Sequence, residues 1–228
     1  TYNEKENIEA ISRAVFALEG GFNILVIDDG SPDGTADIVK GLMEEFPERL
    51  FIIQREGKLG LGTAYITGFK WGLEKGYDYI FEMDADFSHN PDDLPRLLDA
   101  CENGGADLSI GSRYADGVSV VNWPIGRILM SYGASRYVRT VLRTHITDNT
   151  AGFMCYSRRV LEAIDLDNVK MKGYGFQIEM KYTAVKKGFK AVEVPVIFVN
   201  RKAGTSKMSG SIFGEAFWGV LALRFRKF

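Results

Sequence analysis

At 228 residues, with 46% apolar, 12% aromatic and 25% charged side chains, the chain is long enough for one well-buried domain and has the composition of neither a disordered chain nor a membrane bundle. A net charge of -2 supplies no global positive field, which excludes nucleic acid as a partner. Cys101 and Cys155 lack metal-ligand spacing and make no disulfide framework, which fits a reducing, cytoplasmic setting.

The chain opens at Thr1-Tyr2-Asn3-Glu4, which reads as the turn after a strand that the sequence does not contain. Apolar residues at three-to-four spacing predict helices over residues 4–18, 35–46, 63–75 and 92–102, the last opened by the cap-like pair Asn90-Pro91. Runs rich in β-branched and apolar residues predict strands over 23–27, 50–54, 79–83, 107–111, 153–156 and 191–199. Alternation of this kind is a βαβ pattern. It implies an α/β fold with a Rossmann-like, mostly parallel central sheet flanked by helices on both faces. Residues 116–122 and the Gly/Ser/Lys-rich residues 201–210 read as loops that could gate a site. No secretory leader is read, and no apolar run approaches the roughly 20 residues of a spanning helix.

Charge is unevenly spread. Between Asp116 and Asp148 there is no acid, yet Arg127, Arg136, Arg139 and Arg143 fall there; from Arg201 onward six Lys/Arg face only Glu215. Any one of these arginines fits a solvated helix face. Two acid-poor basic blocks in an acidic chain point instead to an anionic partner.

Two acidic clusters follow predicted strands, and ligands of a parallel sheet bind at the carboxyl ends of its strands. The first is Asp28-Asp29-Gly30-Ser31-Pro32-Asp33-Gly34-Thr35, which taken alone also reads as a turn and helix cap. The second is Asp84-Ala85-Asp86. Carboxylates at i and i+2, where a strand unwinds, are hard oxygen ligands for Mg²⁺ or Mn²⁺, and such a cation neutralises a diphosphate. Between the clusters lies Gly57-Lys58-Leu59-Gly60-Leu61-Gly62, whose third dinucleotide-type glycine position is Tyr65; the loop suits backbone approach to a phosphate rather than a dinucleotide fingerprint.

These motifs, with Gly111-Ser112-Arg113-Tyr114, Trp123-Pro124-Ile125-Gly126-Arg127, Asp148-Asn149-Thr150-Ala151-Gly152-Phe153, Gly175-Phe176-Gln177-Ile178-Glu179-Met180, Glu193-Val194-Pro195 and Arg201-Lys202-Ala203-Gly204-Thr205-Ser206-Lys207, run in one order through nearly the whole chain. In that order the chain resembles the dolichol-phosphate (polyprenol-phosphate) mannosyltransferases of glycosyltransferase family 2. The resemblance implies a GT-A fold and inverting transfer of a hexose, mannose from GDP-mannose, to a polyprenyl or dolichyl phosphate.

It further implies that the nucleotide-sugar donor is held by Tyr2, Glu4, Asp28, Asp29, Lys58, Gly60, Asp84, Ala85 and Asp86, with Asp84 and Asp86 binding Mg²⁺ or Mn²⁺. Arg113, Arg127, Ser131, Arg201 and Lys207 would surround the acceptor phosphate, and Asp86, Arg113 and Arg127 would carry catalysis. Some members place Gln two residues beyond the Asp-x-Asp; this chain has Ser88, as others do, which leaves a third side-chain ligand open. A UDP-glucose or GlcNAc-type donor is the nearest rival, and a nucleotide-binding module without transferase activity is the rival of another class.

Physical chemistry agrees with the resemblance. A lipid phosphate is already anionic, so it needs positive charge around it rather than a base. Arg127 and Ser131, four apart in an expected helix, fall on one face and can share a phosphate. Residues 1–210 are expected to form the catalytic domain. Residues 211–228, with Phe217, Trp218 and Phe225 beside Arg224, Arg226 and Lys227, read as an amphipathic, interfacial helix, and Trp123 and Tyr132 share that reading. The expected location is therefore peripheral, on the cytoplasmic face of a membrane, and a membrane-anchoring partner stays open. His89 reads as a surface or capping residue, Met154 and Cys155 as core, and Gln177 and Glu179 as site-lining.

Overall fold

Strands form where the apolar runs fall, and helices where the amphipathic ones do. In the computed structural model, which describes residues 1–171, 173–200 and 211–226, the chain first alternates α1 (Ile8–Phe16), β1 (Ile24–Asp28), α2 (Thr35–Glu45), β2 (Leu50–Gln54), α3 (Leu61–Glu74), β3 (Tyr79–Glu82), α4 (Leu94–Glu102) and β4 (Leu108–Ser112). There follow β5 (Val120–Val121), α5 (Ile125–Leu142), β6 (Met154–Ser157), α6 (Arg158–Ala163), α7 (Tyr174–Lys186), β7 (Ala191–Pro195), β8 (Phe198–Val199) and α8 (Ser211–Arg224).

Two boundaries depart from the expected periodicity for local reasons. The first helix starts at Ile8 rather than residue 4, because Glu4 donates its N–H to Thr35 Oγ1 at 3.0 Å and Asn3 takes a left-handed φ of 57°. The strand expected over 191–199 breaks after Pro195. Val196 N–H still reaches Ser112 O at 3.0 Å, after which the chain swings over to pair β8 with β5, inside the segment expected to be loop. Asn90 behaves as anticipated, its Oδ1 accepting from Asp92 N–H at 3.2 Å to open the turn before α4.

β1 and β2 pair in parallel, and a four-stranded sheet runs β3-β6-β4-β7. β7 is parallel to β4, whereas β6 is antiparallel to both its neighbours, so the sheet is mixed, with β6 the reversed strand. The reversal decides where one motif lands. Met154 pairs with Glu82 and with Ile110, so the residues that precede β6 arrive at the carboxyl edge of β3 and β4.

The period-two alternation of β6 separates two cores. Met154 and Tyr156 join Leu108, Ile110, Phe69, Phe176 and Met180 under α3, α6 and α7. Phe153 and Cys155 face Leu94, Leu97 and Cys101 of α4 with Val15 of α1. Helices thus cover both faces, and each fully buried side chain of this size contributes about 1.5–3 kcal/mol. α8 closes against α5 and α7 through Val220 and Leu223, which meet Val138, Leu142, Ile178 and Tyr182. Among the described residues no helix is long and apolar enough to cross a membrane.

Gly111 of β4 lies where a side chain has no room: a Cβ there would sit 2.9 Å from Phe153 Cδ1, and Phe153 is itself fully buried. Gly111→Ala is expected to destabilise the protein by about 1–3 kcal/mol through overpacking, read as a lower thermal midpoint.

Candidate active site

Each predicted strand end now has a defined task. At the end of β1, Asp28 is fully buried and turns back on its own loop, accepting from Ser31 Oγ at 2.5 Å, Ser31 N–H at 3.0 Å and Thr1 Oγ1 at 3.1 Å. Asp33 accepts from Thr35 N–H and Oγ1 at the head of α2. Asp28 and Asp33 thus build the turn and helix cap that the residues alone allowed, and Asp28 is not among the residues that line the cleft described below. Asp29 pairs with Arg55 at 2.5 Å, and Arg55 also reaches Thr63 Oγ1 and Gly60 O. That bridge ties the glycine loop to β1, with Gly60 at φ 100°, a conformation glycine adopts without strain. Lys58 Nζ lies 3.6 Å above the Tyr2 ring, while Glu4 Oε2 accepts from Asn7. Tyr2, Glu4, Asp28, Asp29, Lys58 and Gly60 thus gather at the β1–β2 edge.

Beside them opens a cleft of about 500 Å³, lined among others by Asp84, Asp86, Ser88, His89, Arg113, Arg127 and Ser131. Asp84 Oδ1 accepts from Tyr65 OH at 3.2 Å, and Asp86 Oδ1 accepts from Ser88 N–H at 3.0 Å, which curls the loop after β3. His89, expected at the surface, is 5% exposed: its ring stacks on Phe153 at 4.8 Å, and Nδ1 accepts the Asp84 N–H at 3.1 Å. Burial pushes its pKa down, which keeps the ring neutral and able to accept.

The donor set fits a hard divalent cation. Asp84 and Asp86 offer carboxylate oxygens, and Ser88 Oγ is buried at the same loop without a hydrogen-bond partner among the described residues. No group of three or more His, Cys, Asp or Glu able to hold a metal occurs among those residues, so substrate phosphate and water would complete the shell, as they do for Mg²⁺ in phosphate sites.

The same cleft is lined by Arg113 and Arg127. Arg113 leaves the end of β4 and forms a fork with Asp148, Nε to Oδ2 at 2.7 Å and Nη2 to Oδ1 at 2.6 Å, with Nη2 also donating to Thr150 Oγ1 at 2.8 Å. Its guanidinium lies 5.4–5.6 Å from the Tyr114, Trp123 and Phe198 rings. Arg127 stacks 3.9 Å over Trp123 and donates from Nη1 to Asn200 Oδ1 at 2.9 Å. Ser131 lies one helical turn on, as its spacing implied, and its Oγ accepts from Tyr114 OH at 2.8 Å. Arg201 and Lys207 lie outside the described residues.

Two expectations divide. Gln177 does line the cleft, but its Nε2 is bound at 2.5 Å to Glu82, whose carboxyl burial pushes up to about 7. Glu179 does not line it. That carboxylate is buried and structural, accepting from Lys170 N–H, Met171 N–H and Arg226, because a side chain two residues beyond Gln177 on α7 points about 200° round the helix from it. Lys181, which no motif singled out, is fully buried with Nζ on Asn149 O and Ala151 O at 3.1 and 2.6 Å. Burial lowers its pKa to about 8. His89, Tyr65, Tyr114 and Asn200 are likewise not assigned to the site by sequence, although Tyr65 and Tyr114 stand in or beside the quoted motifs and His89 follows Asp86 by three residues.

A mixed α/β sheet whose edge sets paired carboxylates against fixed guanidinium groups defines a transferase for phosphorylated substrates. Comparison with known proteins agrees. The model of the family "Glycosyl transferase family 2" matches residues 1–165. The chain is 49% identical over 225 residues to the polyprenol monophosphomannose synthase of Mycolicibacterium smegmatis, covering 96% of this chain and 84% of that one. It is 47% identical over 227 residues to the undecaprenyl-phosphate mannosyltransferase of Micrococcus luteus, covering 97% and 92%. Among solved structures, glucosyl-3-phosphoglycerate synthase from Mycobacterium tuberculosis, in complex with Mn²⁺, UDP and phosphoglyceric acid, superposes with a TM-score of 0.69 at 18% identity, over 98% of this chain and 75% of that one. The chain belongs to glycosyl transferase family 2, and its fold is of the GT-A kind.

Burial alone would push the Asp148 carboxyl up, but the charge and hydrogen bonds of Arg113 outweigh it and hold the carboxyl below its ordinary value. A carboxyl lowered in the folded state contributes stability that is complete above its unfolded value, about 3.9, and is lost as pH falls through the folded one. Asp148→Asn leaves a buried cation and is expected to cost about 3 kcal/mol, or about 6–12 °C in Tm. The gap to wild type should hold from about pH 8 to pH 5 and narrow below about pH 4.

Proposed function

We propose that this chain transfers mannose from GDP-mannose to a polyprenyl phosphate, giving a lipid-phosphate-linked sugar with inverted anomeric configuration. The observation that carries the proposal is the convergence of Asp84 and Asp86 with Arg113, Arg127 and Ser131 on one cleft. The names of the M. smegmatis and M. luteus relatives support the sugar and the acceptor class.

The reactants repel one another. A bound Mg²⁺ or Mn²⁺ on Asp84 and Asp86 would neutralise the donor diphosphate and stabilise it as a leaving group. Tyr2, Glu4, Asp28, Asp29, Lys58, Gly60 and Ala85 belong to the donor side, with Asp28 acting through the turn it builds. Arg113, Arg127 and Ser131, joined by Arg201 and Lys207 on the resemblance, hold the acceptor phosphate. An oxygen of that phosphate attacks the anomeric carbon from the face opposite the diphosphate; the new C–O bond forms as the old one breaks, and no proton has to be removed. The cleft suits this economy. Its only imidazole, among the described residues, is His89, whose Nδ1 already accepts from Asp84.

The lipid's approach accounts for the apolar lining of the cleft by Met130 and Tyr137 of α5 with Phe217 and Val220 of α8. Tyr137 stacks on Phe217 at 4.8 Å and donates to its carbonyl at 3.0 Å. Ile125 and Leu129 of α5, Trp218 of α8 and Phe225 just beyond it are 67–85% exposed, and α5 with its C-cap carries exposed Arg136, Arg139 and Arg143. An apolar patch beside a basic one is the pattern of a helix pair resting on an anionic lipid surface. The interfacial element therefore comprises α5 as well as residues 211–228, with 1–210 holding the catalytic machinery.

Purified protein given Mn²⁺, GDP-mannose and a short prenyl phosphate is expected to release GDP, and Arg127→Ala to lower kcat/KM for the prenyl phosphate about 100-fold or more while GDP-mannose affinity stays within about threefold. An Arg127→Ala enzyme as active as wild type would refute the acceptor assignment. Ile125→Glu with Leu129→Glu is expected to abolish cosedimentation with anionic vesicles; unchanged binding would remove α5 from the interface.

A further inference from the structure

Asp148 is a buried carboxylate whose role the transfer reaction leaves open. It is wholly inaccessible to solvent and is not among the residues that line the cleft, so it cannot touch a substrate. Its oxygens are spent on Arg113: Oδ2 accepts the backbone N–H at 3.0 Å and Nε at 2.7 Å, and Oδ1 accepts Nη2 at 2.6 Å. One carboxylate therefore fixes both the main chain and the guanidinium plane of the same residue. Thr150 Oγ1 takes Nη2 as well. Nη1 makes no hydrogen bond among the described residues, and Arg113 lines the cleft, which leaves Nη1 as the donor edge presented to a ligand.

Asp148 is held in turn. Glu193 of β7 accepts from Asp148 N–H at 2.9 Å, from Thr147 N–H at 2.8 Å and Oγ1 at 2.6 Å, and from Ser112 Oγ at 2.7 Å. Ser112 immediately precedes Arg113, so this one carboxylate clamps both ends of the ion pair to the sheet edge. A guanidinium on an unsupported side chain samples many rotamers; here a planar fork, three aromatic rings and a clamped partner leave one.

We propose that Asp148 and Glu193 are positioning residues for the transfer reaction, acting in series through Arg113 to aim Nη1 at the acceptor phosphate. The proposal rests on the reading of Arg113 as an acceptor-phosphate ligand, and its test separates the two.

The test is a double-mutant cycle in the full chain, reading kcat/KM for a short prenyl phosphate by release of the nucleoside diphosphate. Arg113→Gln and Asp148→Asn are each expected to lower kcat/KM about 100-fold, since a donor lost and a donor misplaced by an ångström have similar effects. Acting in series, Asp148→Asn should lower the Arg113→Gln enzyme by about twofold or less, or partly restore it. KM for the nucleotide-sugar and the shape of the pH profile should not change. If Asp148→Asn costs as much in the Arg113→Gln background as in wild type, or removes a limb of the pH profile, Asp148 acts independently and the proposal fails while the acceptor reading stands. If Arg113→Gln itself costs nothing, the acceptor reading of Arg113 fails and takes the proposal with it. Should Asp148→Asn not fold, Glu193→Gln replaces it in the same cycle, with about a tenfold loss expected in wild type and about twofold or less in Arg113→Gln.

Discussion

The bidentate bridge between Arg113 and Asp148 joins the carboxyl edge of β4 to the segment entering β6 and fixes a guanidinium that lines the cleft. Removing two charges from water is costly, and the attraction between them offsets that cost only with good geometry and saturated hydrogen bonding. Both conditions hold: the carboxylate accepts three hydrogen bonds from Arg113, and its own N–H is taken by Glu193. The pair also leaves Arg113 with a cationic edge at a fixed place beside Trp123 and Phe198, which a mobile lysine could not supply.

Charge in the rest of the cleft is arranged around that fixed point. Carboxylates from the loop after β3 and guanidinium groups from β4 and α5 line the same cleft, which under the proposed function lets a divalent cation with its diphosphate meet a second phosphate with their charges offset. His89 and Tyr65 hold Asp84 from both sides, and Trp123 with Asn200 holds Arg127. The lining joins these polar groups to apolar Met130, Tyr137 and Phe217, a combination that suits a ligand with an anionic head and a hydrocarbon tail.

Much of this was legible in the sequence. The first four helices and strands β1–β4, β6 and β7 follow from apolar periodicity, whereas α6, α7 and β5 do not; Asp84, Asp86, Arg127 and Ser131, picked out by motif and spacing, all line the one cleft. The direction of β6 was not, because its four residues carry the same alternation whichever way they run; reversal puts Asp148 beside Arg113 across 35 residues of chain. Glu179 and Gln177, two apart on one helix, have the same polarity in the sequence and different surroundings in the fold, one held by Arg226 beyond α8 and one in the cleft. His89 looked like a cap because nothing local reveals that Phe153, 64 residues away by numbering, supplies a ring for it to stack on. Asp28 stands in a motif that reads both as a donor site and as a turn; its buried hydrogen bonds to Ser31 and Thr1 show the turn it builds.

The account stands on both phosphorylated reactants sharing this one cleft. Crystals of the protein grown with Mn²⁺, a non-reacting nucleotide-sugar analogue and a short prenyl phosphate test that directly. Anomalous scattering from manganese beside Asp84 and Asp86, with the acceptor phosphate bonded to Arg113 and Arg127, is the predicted result. A phosphate bound elsewhere, with those arginines turned away from it, would contradict the account.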